Sequence, residues 1–210
     1  MDAEAFVRDK IRWLGHATFR IEGSQTTVYI DPWKLAEPKP ADVICITHSH
    51  YDHLSEEDVQ KIRKPSTVII GPPDCKASFG DAFKSIAPGQ SVEVGDVMVE
   101  AVPAYNTDKE FHPKKNGWVG YVITIDGVRV YHAGDCDVIP EMSKVCADVA
   151  LLPVGGTYTM TAAQAGEATS KINPRVAVPM HWGDIVGSEK DSKAFATSAK
   201  SPVVVLEITQ

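Results

Sequence analysis

The segment Thr47-His48-Ser49-His50-Tyr51-Asp52-His53 packs three imidazoles and a carboxylate into six residues, directly after the apolar run 42–46. In an extended chain, residues two apart share a face, so His48, His50 and Asp52 converge at the mouth of a strand, and a turn swings His53 toward a second position beside them. Imidazole suits zinc, manganese, nickel and iron, while a carboxylate adds charge and hardness. The mixed set therefore favours a catalytic metal over a structural one. A divalent ion held there lowers the pKa of bound water from about 15.7 toward neutrality and polarises an attacked carbonyl or phosphoryl oxygen. The competing reading is a solvated histidine-rich loop, which the buried-looking strand before the segment and the density of donors oppose.

Those donors need strands that end together. The pattern predicts strands over 10–14, 19–22 and 27–30, with turns between them, and a helix over 55–63 capped by Ser55, with acids in its first turn. A strand over 68–71 follows. A second strand-rich section covers 92–102, 119–125 and 128–131, with Gly95-Asp96 and Asp126-Gly127 as hairpin turns. The last section alternates: strand 149–152, helix 161–171, strand 176–179, helix 188–198 and strand 203–208. No linker, repeat or low-complexity tract interrupts residues 1–210, which read as a single catalytic domain.

The spacing His-x-His-x-Asp-His resembles the signature of the metallo-beta-lactamase superfamily of binuclear metallohydrolases. That resemblance implies an α/β fold, a four-layer αββα sandwich, with metal ligands collected along one edge. It also implies an acidic ligand after a later strand, supplied by Asp135 in Val128-Arg-Val-Tyr-His-Ala-Gly-Asp135, which becomes the candidate bridge between two metals. A final histidine is supplied by His181 after 175–180. One departure stands out: the segment Val102-Pro-Ala-Tyr-Asn106 lacks the histidine many relatives carry. Asn106 occupies the expected ligand position and His112 offers an imidazole six residues on. The resemblance thus implies one or two divalent ions, zinc first, with manganese, nickel or iron as alternatives. The stretches 11–19, 30–33 and 152–160 look like the ascorbate-6-phosphate lactonase-like group.

Around this set, Asp31, at the end of an apolar strand, is placed to accept the free ring N–H of a ligating histidine and fix its tautomer, with a plain turn acid as the competing role. His16 and His132, at strand-turn junctions, are further candidates to support the ligands, against ordinary packing. Lys109 and Lys114, in the basic loop after Asn106, point to an anionic substrate. Gly156 permits close backbone approach, and Thr157 and Tyr158 offer hydroxyl donors. Asp52 and Asp135 are the catalytic carboxylates, Asp52 as the group that orients the nucleophile and passes a proton to the leaving group.

Composition narrows the remaining classes. The 43% hydrophobic content supports a sizeable core, and the formal charge of -7, from 21 basic and 28 acidic side chains, argues against broad attraction to nucleic acid. No apolar stretch is long enough for a membrane span, and acids stand where a secretory signal would be basic. Cys45, Cys75, Cys136 and Cys146 form no Cys-x-x-Cys pair. The expectation is a cytoplasmic, metal-dependent hydrolase of a small ester, lactone or phosphate ester, with room for a homo-oligomer. A phosphodiesterase or nuclease, and a non-catalytic metal-binding sensor, are the rival readings.

Overall fold

Alternation along the strands decides the layers. A computed structural model describes residues 2–209. In β4 (Ala41–Cys45) and the residue after it, Val43 and Cys45 enter one core while Ile44 and Ile46 enter another. The same division splits Val28 and Ile30 from Tyr29 in β3 (Thr27–Ile30), and Ile70 from Ile69 in β5 (Arg63–Gly71). A sheet buried on both faces must lie between two layers.

The first sheet pairs β1 (Ile11–Gly15), β2 (Thr18–Glu22) and β3 antiparallel, then β3, β4, β5 and β6 (Phe83–Ser85) parallel. In the second, β7 (Ser91–Val94), β8 (Val97–Pro103), β9 (Val119–Ile125) and β10 (Val128–His132) run antiparallel. There β10, β11 (Val149–Pro153) and β12 (Val176–Met180) are parallel. In both sheets spatial order follows sequence order. The larger core fills the space between them, joining Phe19, Ile21 and Val28 to Val99, Tyr121, Ile123 and Leu151.

Helices cover the outer faces. α2 (Glu56–Ile62), capped by Ser55, buries Val59 and Ile62 in the smaller core with Ile44, Ile46 and Ile69. On the other side, α3 (Ala162–Ile172) packs on β11 and on α4 (Glu189–Ser198), which also touches β12. The result is the four-layer αββα sandwich. No helix among the described residues is long and apolar enough to cross a membrane.

Four elements differ from the expectations above. A helix, α1 (Ala3–Lys10), precedes the first strand; Asp2 caps it and Phe6 and Val7 anchor it in the larger core. β5 starts five residues earlier than 68, and β6 adds a short edge strand. Residues 203–208 form no ladder. They make isolated bridges, Ala177 with Val203 and Trp13 with Ile208. Because β12 and β1 are edges of different sheets, a segment crossing from one to the other cannot stay in register with either.

At the end of the sandwich where β4 terminates, hydrogen bonds stitch the sheets together. The Tyr121 hydroxyl donates to the Ile46 carbonyl at 2.6 Å and Val119 N–H to the Thr47 carbonyl at 3.2 Å. His132 Nε2 donates to the Ala17 carbonyl at 2.9 Å. Tyr121 is fully buried. Tyr121→Phe should therefore destabilise the protein by about 1–3 kcal/mol, the cost of leaving a buried acceptor without its donor, read as a lower urea midpoint at unchanged slope; an unaltered midpoint would show that the seam does not depend on this bond.

Candidate metal centre

Every chemically interesting side chain lies at the carboxyl end of a strand or in the loop that follows. Past β4 the chain runs through Thr47 and His48 and then closes a turn in which His53 and Leu54 N–H both donate to the His50 carbonyl. Asp31 follows β3, Asp135 follows β10 and His181 follows β12. His112 comes from the loop between β8 and β9, and His16 from the tight β1–β2 turn. His16, Asp31 and His181 all hold positive φ, at 50°, 46° and 58°. Non-glycine residues seldom adopt that region, and here it turns His16 toward Asp52, His181 toward Asp135 and Asp31 toward the outer ring nitrogen of His53.

Two clusters share one carboxylate. His48, His50 and His112 form the first; Asp52, His53 and His181, with His16 beside them, form the second, and within each cluster the ligand atoms lie within 4.8 Å of one another. Asp135 stands between them. Its Oδ2 is 3.3 Å from His112 Nε2 and 3.1 Å from His181 Nε2, and its Oδ1 is 3.5 Å from His53 Nε2. His48 Nε2 and His50 Nδ1 approach to 3.1 Å.

The outward ring nitrogens are assigned by their partners. Asp31 accepts from Thr47 N–H at 2.7 Å, from Thr47 Oγ1 at 2.6 Å and from His53 Nδ1 at 2.8 Å. Thr47 Oγ1 in turn accepts from His48 Nδ1 at 2.9 Å. One buried carboxylate therefore turns Nε2 of both His48 and His53 inward. Asn106 does the same for His112: its Oδ1 accepts from His112 N–H at 2.9 Å and from Nδ1 at 3.0 Å, while its amide donates to the Tyr158 carbonyl at 3.0 Å. With both lone pairs engaged, Asn106 has none left for a metal. It is His112, not Asn106, that the structure places beside His48 and His50, and Asn106 orients its ring.

The donor set fits a divalent cation. Nε2 of His53, His112 and His181, together with Asp135 Oδ1, is buried without a hydrogen-bond partner. Each such orphan costs about 1–3 kcal/mol unless something meets it, and here they face one another across the two clusters. Burial alone would lower His53, but the carboxylates of Asp135 and Asp31 outweigh it and hold His53 well above the ordinary imidazole value. Burial, with the neighbouring charge of His53, drives His48 well below it. Asp135 is held well below the carboxylate range by His181 and His53 despite its burial.

Other expected residues fall elsewhere. His132 is spent on the seam, donating to Ala17 and accepting from Gly134 N–H at 3.1 Å, and so supports the sheets rather than a ligand. His16 reaches Asp52 Oδ2 through Nε2 at 3.0 Å, its ring lies 3.9 Å from that of His181, and its carbonyl accepts from His181 N–H. Lys109 is bound to Asp137 and Asp108, and Lys114 to Glu141. Gly156 closes a turn with Met160 and Thr159, and Thr157 is exposed at its tip. Tyr158 does line the cleft, beside Tyr51, Phe111 and Ile185, which the sequence reading passed over. Two of those follow a ligand or precede one directly, Tyr51 after His50 and Phe111 before His112, a signal present in the sequence. Gly155 shows another constraint: a Cβ there would meet the His181 carbonyl at 2.3 Å, so only glycine lets the two loops approach.

Comparison with known proteins agrees with this geometry. Residues 10–181 match the family model described as the beta-lactamase superfamily domain. A protein of Archaeoglobus fulgidus named UPF0173 metal-dependent hydrolase is 34% identical over 95% of this chain and 94% of its own. A structure from Parabacteroides distasonis, provisionally named a metal-dependent hydrolase, is 32% identical with a TM-score of 0.84, covering 95% of this chain and 93% of that one. A metallo hydrolase from Ignicoccus hospitalis is 25% identical, with a TM-score of 0.78 and 95% of each chain covered.

The raised pKa of His53 sets a sign for metal uptake. The carboxylates of Asp135 and Asp31 favour the protonated form of His53 in the metal-free protein, and an entering cation competes with that proton. Calorimetric titration of metal into the metal-free protein near pH 7, in buffers of differing ionisation enthalpy, should show proton release and an affinity that climbs with pH. The stability that this proton gives the metal-free protein is fully present below about pH 6.5 and is lost as pH rises through the raised value. Metal binding without proton release would contradict the charge state of the cluster.

Proposed function

This chain belongs to the metallo-beta-lactamase superfamily and, within it, to the UPF0173 metal-dependent hydrolases, and on that premise we propose that it holds two divalent metal ions and hydrolyses a small ester, lactone or phosphate ester. The observation that carries the reading is Asp135, whose Oδ2 lies between His112 of one cluster and His181 of the other. His48 Nε2, His50 Nδ1 and His112 Nε2 would hold the first ion, Asp52, His53 Nε2 and His181 Nε2 would hold the second, and Asp135 would serve both. The imidazole-rich donor set favours zinc, with manganese, nickel and iron as alternatives. When bound, the metal supplies Lewis acidity and a lowered pKa for coordinated water.

The protein's own groups do the rest. Asp52 lines the cleft and, although burial raises its pKa, the hydrogen bond from His16 keeps it ionised below the usual carboxylate range. It accepts the proton of the attacking water as the new bond to the acyl carbon or phosphorus forms, and returns that proton to the leaving oxygen as the old bond breaks. His16 positions the carboxylate for both transfers. Asp31 and Asn106 keep the ring nitrogens of His53, His48 and His112 aimed inward throughout. The four cysteines are free, an arrangement that supports a reducing, cytoplasmic setting.

Elemental analysis tests the proposal. The purified protein should carry about two divalent metal equivalents per chain. His112→Ala and His181→Ala should each retain about one, and Asn106→Ala should keep the sites with metal affinity weakened roughly 10–100-fold. Ester hydrolysis should vanish with chelator, return with metal, and fall about 10²–10⁴-fold in kcat for Asp52→Asn. A single equivalent, unchanged in His112→Ala and His181→Ala, would rule out the two-ion arrangement.

A further inference from the structure

The metal cluster opens into a cleft of about 240 Å³, below the roughly 300–1,000 Å³ typical of pockets for drug-sized ligands. Its floor is the cluster itself. Its walls are Tyr51, Phe111, Tyr158 and Ile185. The Phe111 and Tyr158 rings meet edge to face at 4.7 Å, and Tyr51 sets its edge toward Trp33 at 6.1 Å. Tyr51 is 70% exposed and Phe111 47%, so two large rings stand in solvent at the mouth. Exposed aromatic surface beside a reactive centre is surface waiting for an apolar group.

The charges tell the same story. Among the described residues that line the cleft there is no lysine or arginine. The two lysines of the neighbouring loop are already matched: Lys109 with Asp137 at 2.5 Å and Asp108 at 2.8 Å, and Lys114 with Glu141 at 2.9 Å and stacked over the Tyr105 ring at 4.5 Å. The formal charge of -7, counted on the side chains alone, gives the surface beyond the metal cluster no general attraction for anions. With its reacting ester group on the metal cluster, an acyl group carrying a further carboxylate would lose its water against an aromatic wall and find no lysine or arginine there in exchange.

We infer that the cleft selects uncharged carboxylic esters or lactones with a small aromatic or branched apolar acyl group, and disfavours substrates bearing an additional carboxylate or a phosphate. This rests on the hydrolase reading above and narrows it. Phe111 and Tyr158, packed on each other at right angles, are the specificity-determining pair and form one wall against which the acyl group rests, with Tyr51 lining the same cleft.

The test uses metal-loaded protein and four derivatives of one phenol: its acetate, its benzoate, its hemisuccinate and its phosphate monoester. The benzoate should exceed the hemisuccinate and the phosphate in kcat/KM by at least about 10-fold, within the 10–200-fold that pocket contacts to a small group supply. Phe111→Ala should erase most of the benzoate preference, chiefly through KM, and Phe111→Lys should raise the hemisuccinate relative to the benzoate. A hemisuccinate or phosphate turned over as fast as the benzoate overturns the inference. Binding of 2-naphthol and of naphthalene-2-sulfonate, followed by fluorescence in wild type and Phe111→Ala, separates this inference from the hydrolase reading. Tighter naphthol binding that is lost in Phe111→Ala supports the apolar cleft even where no ester is cleaved, in which case the hydrolase reading alone fails. Equal or tighter sulfonate binding overturns the apolar cleft whatever the turnover.

Discussion

The Asp31 carboxylate is the constraint on which the rest of the site depends. It is fully buried, sits on a backbone with φ of 46°, and accepts from Thr47 N–H, Thr47 Oγ1 and His53 Nδ1. Removing a carboxylate from water is costly, and only charge-assisted bonds of this number and length offset it. Because its own N–H donates to the Cys45 carbonyl and its carbonyl accepts from Thr18 Oγ1, the residue is locked to β4 and β2 as well. The local strain at Asp31 is thus held by the sheet, and the orientation of two histidines follows from it.

A second dependence runs between the sheets. The first cluster takes His48 and His50 from one sheet's loops and His112 from the other's; the second takes Asp52 and His53 from the first and His181 from the second. Their spacing is therefore set by how the two sheets dock, and the bonds from Tyr121, Val119 and His132 lie just behind the site to fix that docking. A buried histidine used as a strut, His132, is as much a part of the geometry as one aimed at a metal.

What could be read in the sequence was what is local. The donors from His48 to His53 are dense, and strand periodicity explains why they converge. The hairpins at Gly95 and Asp126, the Ser55 cap and the strand 119–125 were legible for the same reason. Asp135 and His181 were visible only through resemblance, because nothing in their own neighbourhoods says which distant loop they face. The bonding of Asn106 to His112 was hidden because it depends on the loop folding back until both hydrogen bonds close. The pairing of Lys109 and Lys114 was hidden for a related reason. Their acids, Asp137 and Glu141, lie 28 and 27 residues away and were not near them in the linear text. Residues 203–208 had the composition of a strand, yet composition carries no information about two edges belonging to different sheets.

The strictly sequential strand order of both sheets has a kinetic consequence. Each half of the chain can complete its sheet from neighbours in sequence, so little long-range search is needed until the halves meet. A chain that has assembled only the first sheet displays His48, His50, Asp52 and His53 without His112, Asp135 or His181. Only with the second sheet docked, and residues 203–208 lacing β12 to β1, are the remaining donors in place. The complete donor set therefore exists only where both halves of the chain have been joined.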